Sequence, residues 1–198
     1  MSLIGTGSIG RVQCEKTHLM HLFLKEGKTN ATLYMGSMFD IDNVVNLANL
    51  TEPNEKKICE YLIKTGNFIK LGEAIIVNRT TLSAVIFENY PDNRDETGYH
   101  EPGLKRAKLF FTNSIENSFT IDDLDSKSLK TLKKQFLKGK NLVPLGEHGI
   151  VNKDHILTVL YNREIEVFFG DRIDNSNKLI FENVNVKDRK KFDNRIRD

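Results

Sequence analysis

Residues 146–161 (GEHGIVNKDHILTVLY) repeat, in altered form, a stretch 74 positions earlier, residues 72–87 (GEAIIVNRTTLSAVIF). Extended upstream without a gap, residues 58–87 align with 132–161. Nine of thirty positions are identical: Lys64, Asn67, Leu71, Gly72, Glu73, Ile76, Val77, Asn78 and Val85, each with its counterpart 74 further on. Most other pairs exchange apolar for apolar, such as Leu62 with Phe136 and Leu82 with Ile156. A fixed long offset points to a repeated structural unit, and so restricts the chain to folds made of similar parts.

Each copy begins with helical spacing. Ile58, Tyr61, Leu62 and Thr65 fall on one face, as do Leu129, Leu132, Phe136 and Leu137. Pro53 suits a first helical turn, where a missing N–H costs nothing. Asp125 or Ser126 suits the N-cap of the second helix, and Gly66 and Gly139 suit the helix ends. A strand carrying Val-Asn is expected next, with a turn at Asn78 and at Asn152. A second echo, offset by 58, relates Leu109-Phe110-Phe111 to Val167-Phe168-Phe169, and Asn117-Ser118 to Asn175-Ser176. It predicts a hairpin after each Val-Asn element: 105–112 with 118–121, and 164–169 with 178–181.

The expected fold is therefore α+β and β-dominated, with two tandem similar units, each a helix, a Val-Asn strand and a hairpin. The expected domains are a flexible leader over 1–18, a first β-rich unit over 19–100, and a second over 101–198 with a basic helix. Strands are expected at 19–24 and 31–39, around a turn at 25–30. Residues 91–103, bounded by Pro91 and Pro102, read as a polar loop between units.

Gly5, Gly7 and Gly10 match G-x-G-x-x-G. That motif holds a dinucleotide only when a strand feeds the turn and a helix follows it. Three residues before Ile4 are too few for that strand, so no dinucleotide is expected, and no other cofactor. Cys14 and Cys59 form no disulfide framework or metal spacing, which favours a cytoplasmic setting. No apolar run reaches the roughly 18 residues of a membrane span, so no membrane partner is expected.

Charge is unevenly placed. Residues 1–100 carry 10 basic and 12 acidic side chains, and residues 101–198 carry 19 and 15. Six lysines and no acid lie within 127–140, and six basic groups against two acids within 187–197. Fixed positive charge of this density suits phosphate. Lys127, Lys130, Lys134 and Lys138 are expected to form a stripe on the second helix, with Lys187, Arg189, Lys190 and Lys191 as a second basic group. His148 and Lys153 could approach base edges from a loop. Glu147, His148, Asp154 and His155 are also candidates for acid–base or metal chemistry. Their counterparts are Glu73, Ala74, Thr80 and Thr81, so only the glutamate recurs, and no catalytic or metal residue is assigned.

The second half resembles the LytTR-type DNA-binding domains of bacterial response regulators over residues 109–198. Leu129 to Leu137 resembles that family's helix, and Ile150-Val151-Asn152 with Ile156 its signature. Glu164 to Phe181 resembles its hairpin, and Asn185-Val186-Lys187 stands where its later basic element falls. The family's basic cluster is replaced here by Gly146-Glu147-His148, leaving His148 as its one match. The resemblance implies a regulatory protein that contacts duplex DNA through its second unit. The alternatives are a non-enzymatic protein- or small-ligand-binding module, oligomeric through strand edges, and a hydrolase using His148, Asp154 and His155.

Overall fold

The computed structural model describes residues 2–5, 11–14, 19–24, 31–35, 44–47, 52–71, 75–89, 103–111, 114–170, 173 and 175–197. The chain is α+β and β-dominated. It divides into two compact units, Met1–Thr81 and Leu82–Asp198. The turn expected at 25–30, the loop at 91–102, Gly7, Gly10 and Gly72 to Ala74 lie outside the described residues.

In the first unit β1 (Ser2–Gly5) pairs with β2 (Arg11–Cys14), within the stretch expected as a leader; a strand does run into Gly5, against expectation, but the next described element is a strand and not a helix. The strands β3 (Leu19–Leu24), β4 (Ala31–Met35) and β5 (Val44–Leu47) form an antiparallel meander. Helix α1 (Glu52–Lys64) follows, then β6 (Phe68–Leu71) and β7 (Ile75–Asn78). The sheet order is β5-β4-β3-β7-β6. The helix buries Ile58, Cys59 and Leu62. It stops at Gly66, whose φ of +77° suits glycine, with its N–H donating to the Ile63 carbonyl at 3.0 Å.

The second unit opens with β8 (Leu82–Asn89), β9 (Lys105–Phe111) and β10 (Ser114–Leu124), again an antiparallel meander. Helix α2 (Ser126–Phe136), β11 (Leu142–Leu145) and β12 (Gly149–Asn152) follow. The sheet order is β10-β9-β8-β12-β11. A short 3-10 turn (Lys153–His155) leads to β13 (Ile156–Tyr161), β14 (Ile165–Phe169) and β15 (Lys178–Phe181), which form a separate three-stranded sheet. Helix α3 (Val186–Arg197) closes the unit.

Two expectations about local structure are corrected. The Val-Asn strand does not follow the helix directly: β6 and β11 intervene, so each Val-Asn strand is the second arm of a hairpin. The pairing Phe68↔Asn78 has the counterpart Leu142↔Asn152, and Arg79 N–H to Asn67 carbonyl, 2.8 Å, has the counterpart Lys153 N–H to Asn141 carbonyl, 2.8 Å. Second, α2 ends at Phe136. Leu137 is its C-cap and is 40% exposed, not inward-facing, and Lys138 and Lys140 lie in the turns beyond it.

The core of the second unit lies between its sheets. Ala84, Phe110, Val143, Leu145 and Val151 from the five-stranded sheet pack with Ile165, Val167, Phe169, Leu179 and Phe181 from the other, closed by Val184 and Phe192. Gly149 is required by this packing. A Cβ there would lie 2.4 Å from the Phe181 ring and 3.1 Å from the Val85 carbonyl. On the opposite face of the five-stranded sheet, the Lys133 ammonium of α2 sits 4.6 Å from the Phe87 ring centre.

Candidate functional site

Helix α2 is amphipathic for a simple reason of spacing. Leu129, Leu132 and Phe136 are buried, while Lys127, Lys130 and Lys134 are exposed on the remaining surface. Asp125 caps it, its side chain accepting the Ser128 N–H at 2.6 Å. That bond holds the Asp125 carboxyl below its ordinary range. Lys133 is different from its neighbours. It is half-buried, and its ammonium donates to the Glu147 carbonyl at 2.8 Å. Desolvation lowers its pKa.

That bond fixes the turn 146–148 between β11 and β12. Gly146 has φ +63°, and a Cβ on it would meet the Asp188 carboxylate of α3 at 3.3 Å. Asp188 is itself fixed: its N–H donates to Asn185 Oδ1 at 2.9 Å, and its Oδ2 accepts from Asn185 Nδ2 at 2.7 Å. This reciprocal pair caps the start of α3. The turn is thus bonded to α2 on one side and lies close to α3 on the other. His148 and Glu147 are exposed on it, and the His148 carbonyl accepts the Phe87 N–H at 2.8 Å.

A pocket of about 320 Å³ opens between this turn and α3, lined by Pro144, Gly146, Glu147, Asp188, Lys191 and Arg195. Lys191 lies 3.9 Å from Asp188, a loose pair on a mostly exposed side chain. Arg195 makes no ion pair among the described residues. The pocket therefore offers two cations with spare bonding capacity beside two carboxylates, one already capping a helix.

The remaining candidates are dispersed. Lys187 and Lys190 are exposed on α3. Arg189 is engaged: it donates to the carbonyls of Val184 (3.0 Å), Asn162 (2.8 Å) and Arg163 (2.5 Å), bracing the helix start against the β13–β14 turn. Lys153 is half-buried in the 3-10 turn. Asp154 accepts from the Asn141 amide. His155 Nδ1 lies 3.2 Å from Ser83 Oγ, and Ser83 is buried. Asp154 and His155 thus have separate partners, and His148 lies on another turn. No cluster of three or more His, Cys, Asp or Glu side chains fit to hold a metal occurs among the described residues. Among those residues, too, no helix is long and apolar enough to cross a membrane.

Sequence reasoning missed Ser83, Asp188 and Arg195. Ser83 and His155 are 72 positions apart with no shared motif. Asp188 and Arg195 stood inside a basic tail whose local order was not apparent. No family model, curated protein or solved structure matches this chain.

Proposed function

We propose that the second unit is a duplex-DNA-binding module of a non-enzymatic regulatory protein. It holds phosphates along the face made by α2, the 146–148 turn and α3. The observation that carries this reading is the seating of the turn, bonded to α2 through Lys133 and Glu147 and lying close to Asp188 of α3 at Gly146. It brings two basic helices to either side of one exposed loop. Residues 127–140 and 187–197 together carry twelve basic groups against two acids. Lys127, Lys130, Lys134, Lys138, Lys187 and Lys190 make no ion pair among the described residues, so their charge is available to a polyanion. In this reading His148 and Lys153 would supply contacts beyond phosphate. The resemblance to LytTR-type domains supports the same reading, while Glu147 opposes it locally.

The test is duplex binding followed by anisotropy as salt is raised. Electrostatic binding predicts a linear fall of log affinity with log salt, with a slope of about −0.9 per phosphate neutralised. Glu147→Gln removes the like charge and is expected to tighten binding at low salt. No binding by well-folded protein at low salt would retire the DNA reading. It would favour the second one, a small anionic ligand at Lys191 and Arg195, which the 320 Å³ pocket supports.

A further inference from the structure

Hairpins and meanders are combined in this chain by one rule, and two of them are left over. The hairpin β6–β7 lies along β3 through Ile75↔Phe23, Ile76↔Leu22 and Val77↔His21. The hairpin β11–β12 lies along β8 through the same three positions of its second strand: Gly149↔Ile86, Ile150↔Val85 and Val151↔Ala84. In both cases the receiving strand is the first of an antiparallel meander followed by a helix. The strands β13, β14 and β15, followed by α3, repeat that order. Here the first strand, β13, has β14 on one side and no described strand on the other.

Among the described residues no strand pairs with the outer edge of β13, whose ladder with β14 is irregular at Ile156–Thr158, as those of β3 and β8 are at Leu19–His21 and Leu82–Ala84. Its sequence, ILTVLY, has no proline and no charged residue, two of the guards of an open edge. Leu157, Leu160 and Tyr161 are 42%, 43% and 41% exposed. The converse case is β1–β2. It is a hairpin with two strands of four residues, like β6–β7 and β11–β12, and it pairs with no third described strand. A two-stranded hairpin by itself is marginal in water, and β1 also lies against α1.

We propose that the hairpin β1–β2 of one copy docks antiparallel along β13 of a second copy. It takes the place that β7 and β12 occupy on β3 and β8. Strand addition satisfies the open backbone groups of both elements at once. The two filled cases set the register: Arg11 opposite Leu160, Val12 opposite Val159, Gln13 opposite Thr158. The contact is heterologous, so copies add head to tail into a ring or an open filament.

The chain of residues 1–198, freed of nucleic acid, is examined by sedimentation over a hundredfold range of concentration. The weight-average mass is expected to rise with concentration. Val12→Pro, in the donor strand, and Leu160→Lys, on the receiving edge, are each expected to return it to the monomer with an unchanged far-UV spectrum. Oxidised mixtures of Val12→Cys and Val159→Cys chains, both carrying Cys14→Ser, are expected to yield a disulfide dimer containing one of each. A monomer at every concentration overturns the proposal. So does association that survives both edge variants, or a cross-link that forms only within one chain of the doubly substituted protein.

Discussion

Asn152 joins two strands and a turn through one amide. Its Oδ1 accepts the Asp154 N–H at 3.2 Å, and its Nδ2 donates to the Leu82 carbonyl at 2.9 Å, with the residue 2% exposed. Asn78 has the same local bond, accepting the Thr80 N–H at 3.0 Å. Asn152→Ala leaves a buried carbonyl without its donor, and the expected loss is about 1–3 kcal/mol, read as a lower urea midpoint with an unchanged m-value. A mutant that keeps its midpoint but loses binding would place Asn152 in a site instead. Tyr161 gives a pH prediction. Desolvation first, and Asp193 second, push its hydroxyl from 10.0 up to about 12; the hydroxyl donates to Asp193 at 3.2 Å. The folded state therefore holds the phenol proton more tightly than the unfolded chain. The stability this contributes is whole below pH 10.0 and is lost as pH rises through about 12. Tyr161→Phe is expected to flatten the stability profile in that window alone, as followed by thermal melting.

Helix α2 separates two kinds of lysine that look alike in sequence. Lys127, Lys130 and Lys134 are exposed, whereas Lys133 is tied to Glu147 and to the Phe87 ring. Replacing the three exposed lysines by Gln is expected to flatten the log–log salt slope by up to about 3 units and to leave the melting midpoint in place. Lys133→Gln is expected to do the reverse, lowering stability by about 1 kcal/mol through loss of its bond to the turn. Equal effects of the two substitutions on the slope would count against the division. The core face of this helix was legible because Leu129, Leu132 and Phe136 obey helical spacing. Its end was not, because Leu137 extends that spacing and Lys138 is a good helix former; the exposed position of Leu137 carries no signal in a single sequence. The strand β11 was hidden for another reason. Its four residues, LVPL, include a proline, which reads as a break but is tolerated where the strand lies at a sheet edge.

Across the whole chain, the repeat was legible as sequence and its meaning was not. The matches at Ile76-Val77-Asn78 and Ile150-Val151-Asn152 mark the second arm of a hairpin that serves a neighbouring meander, and pairing partners far apart in sequence leave no trace in a local pattern. For that reason the expected boundary near residue 100 follows the polar loop, while the compact units divide between Thr81 and Leu82. Strand β8 lies with β9 and β12, and every residue of the central cluster, from Ala84 to Phe192, falls within the second unit. A core that lies wholly inside one unit gives that unit what it needs to fold alone. Residues 82–198 expressed by themselves are expected to unfold cooperatively, to keep their near-UV spectrum, and to bind duplex DNA with the salt slope of the full chain. A fragment that folds but binds with a shallower slope would place part of the phosphate contact in the first unit. One without a cooperative transition would show that the cluster between the two sheets is insufficient on its own.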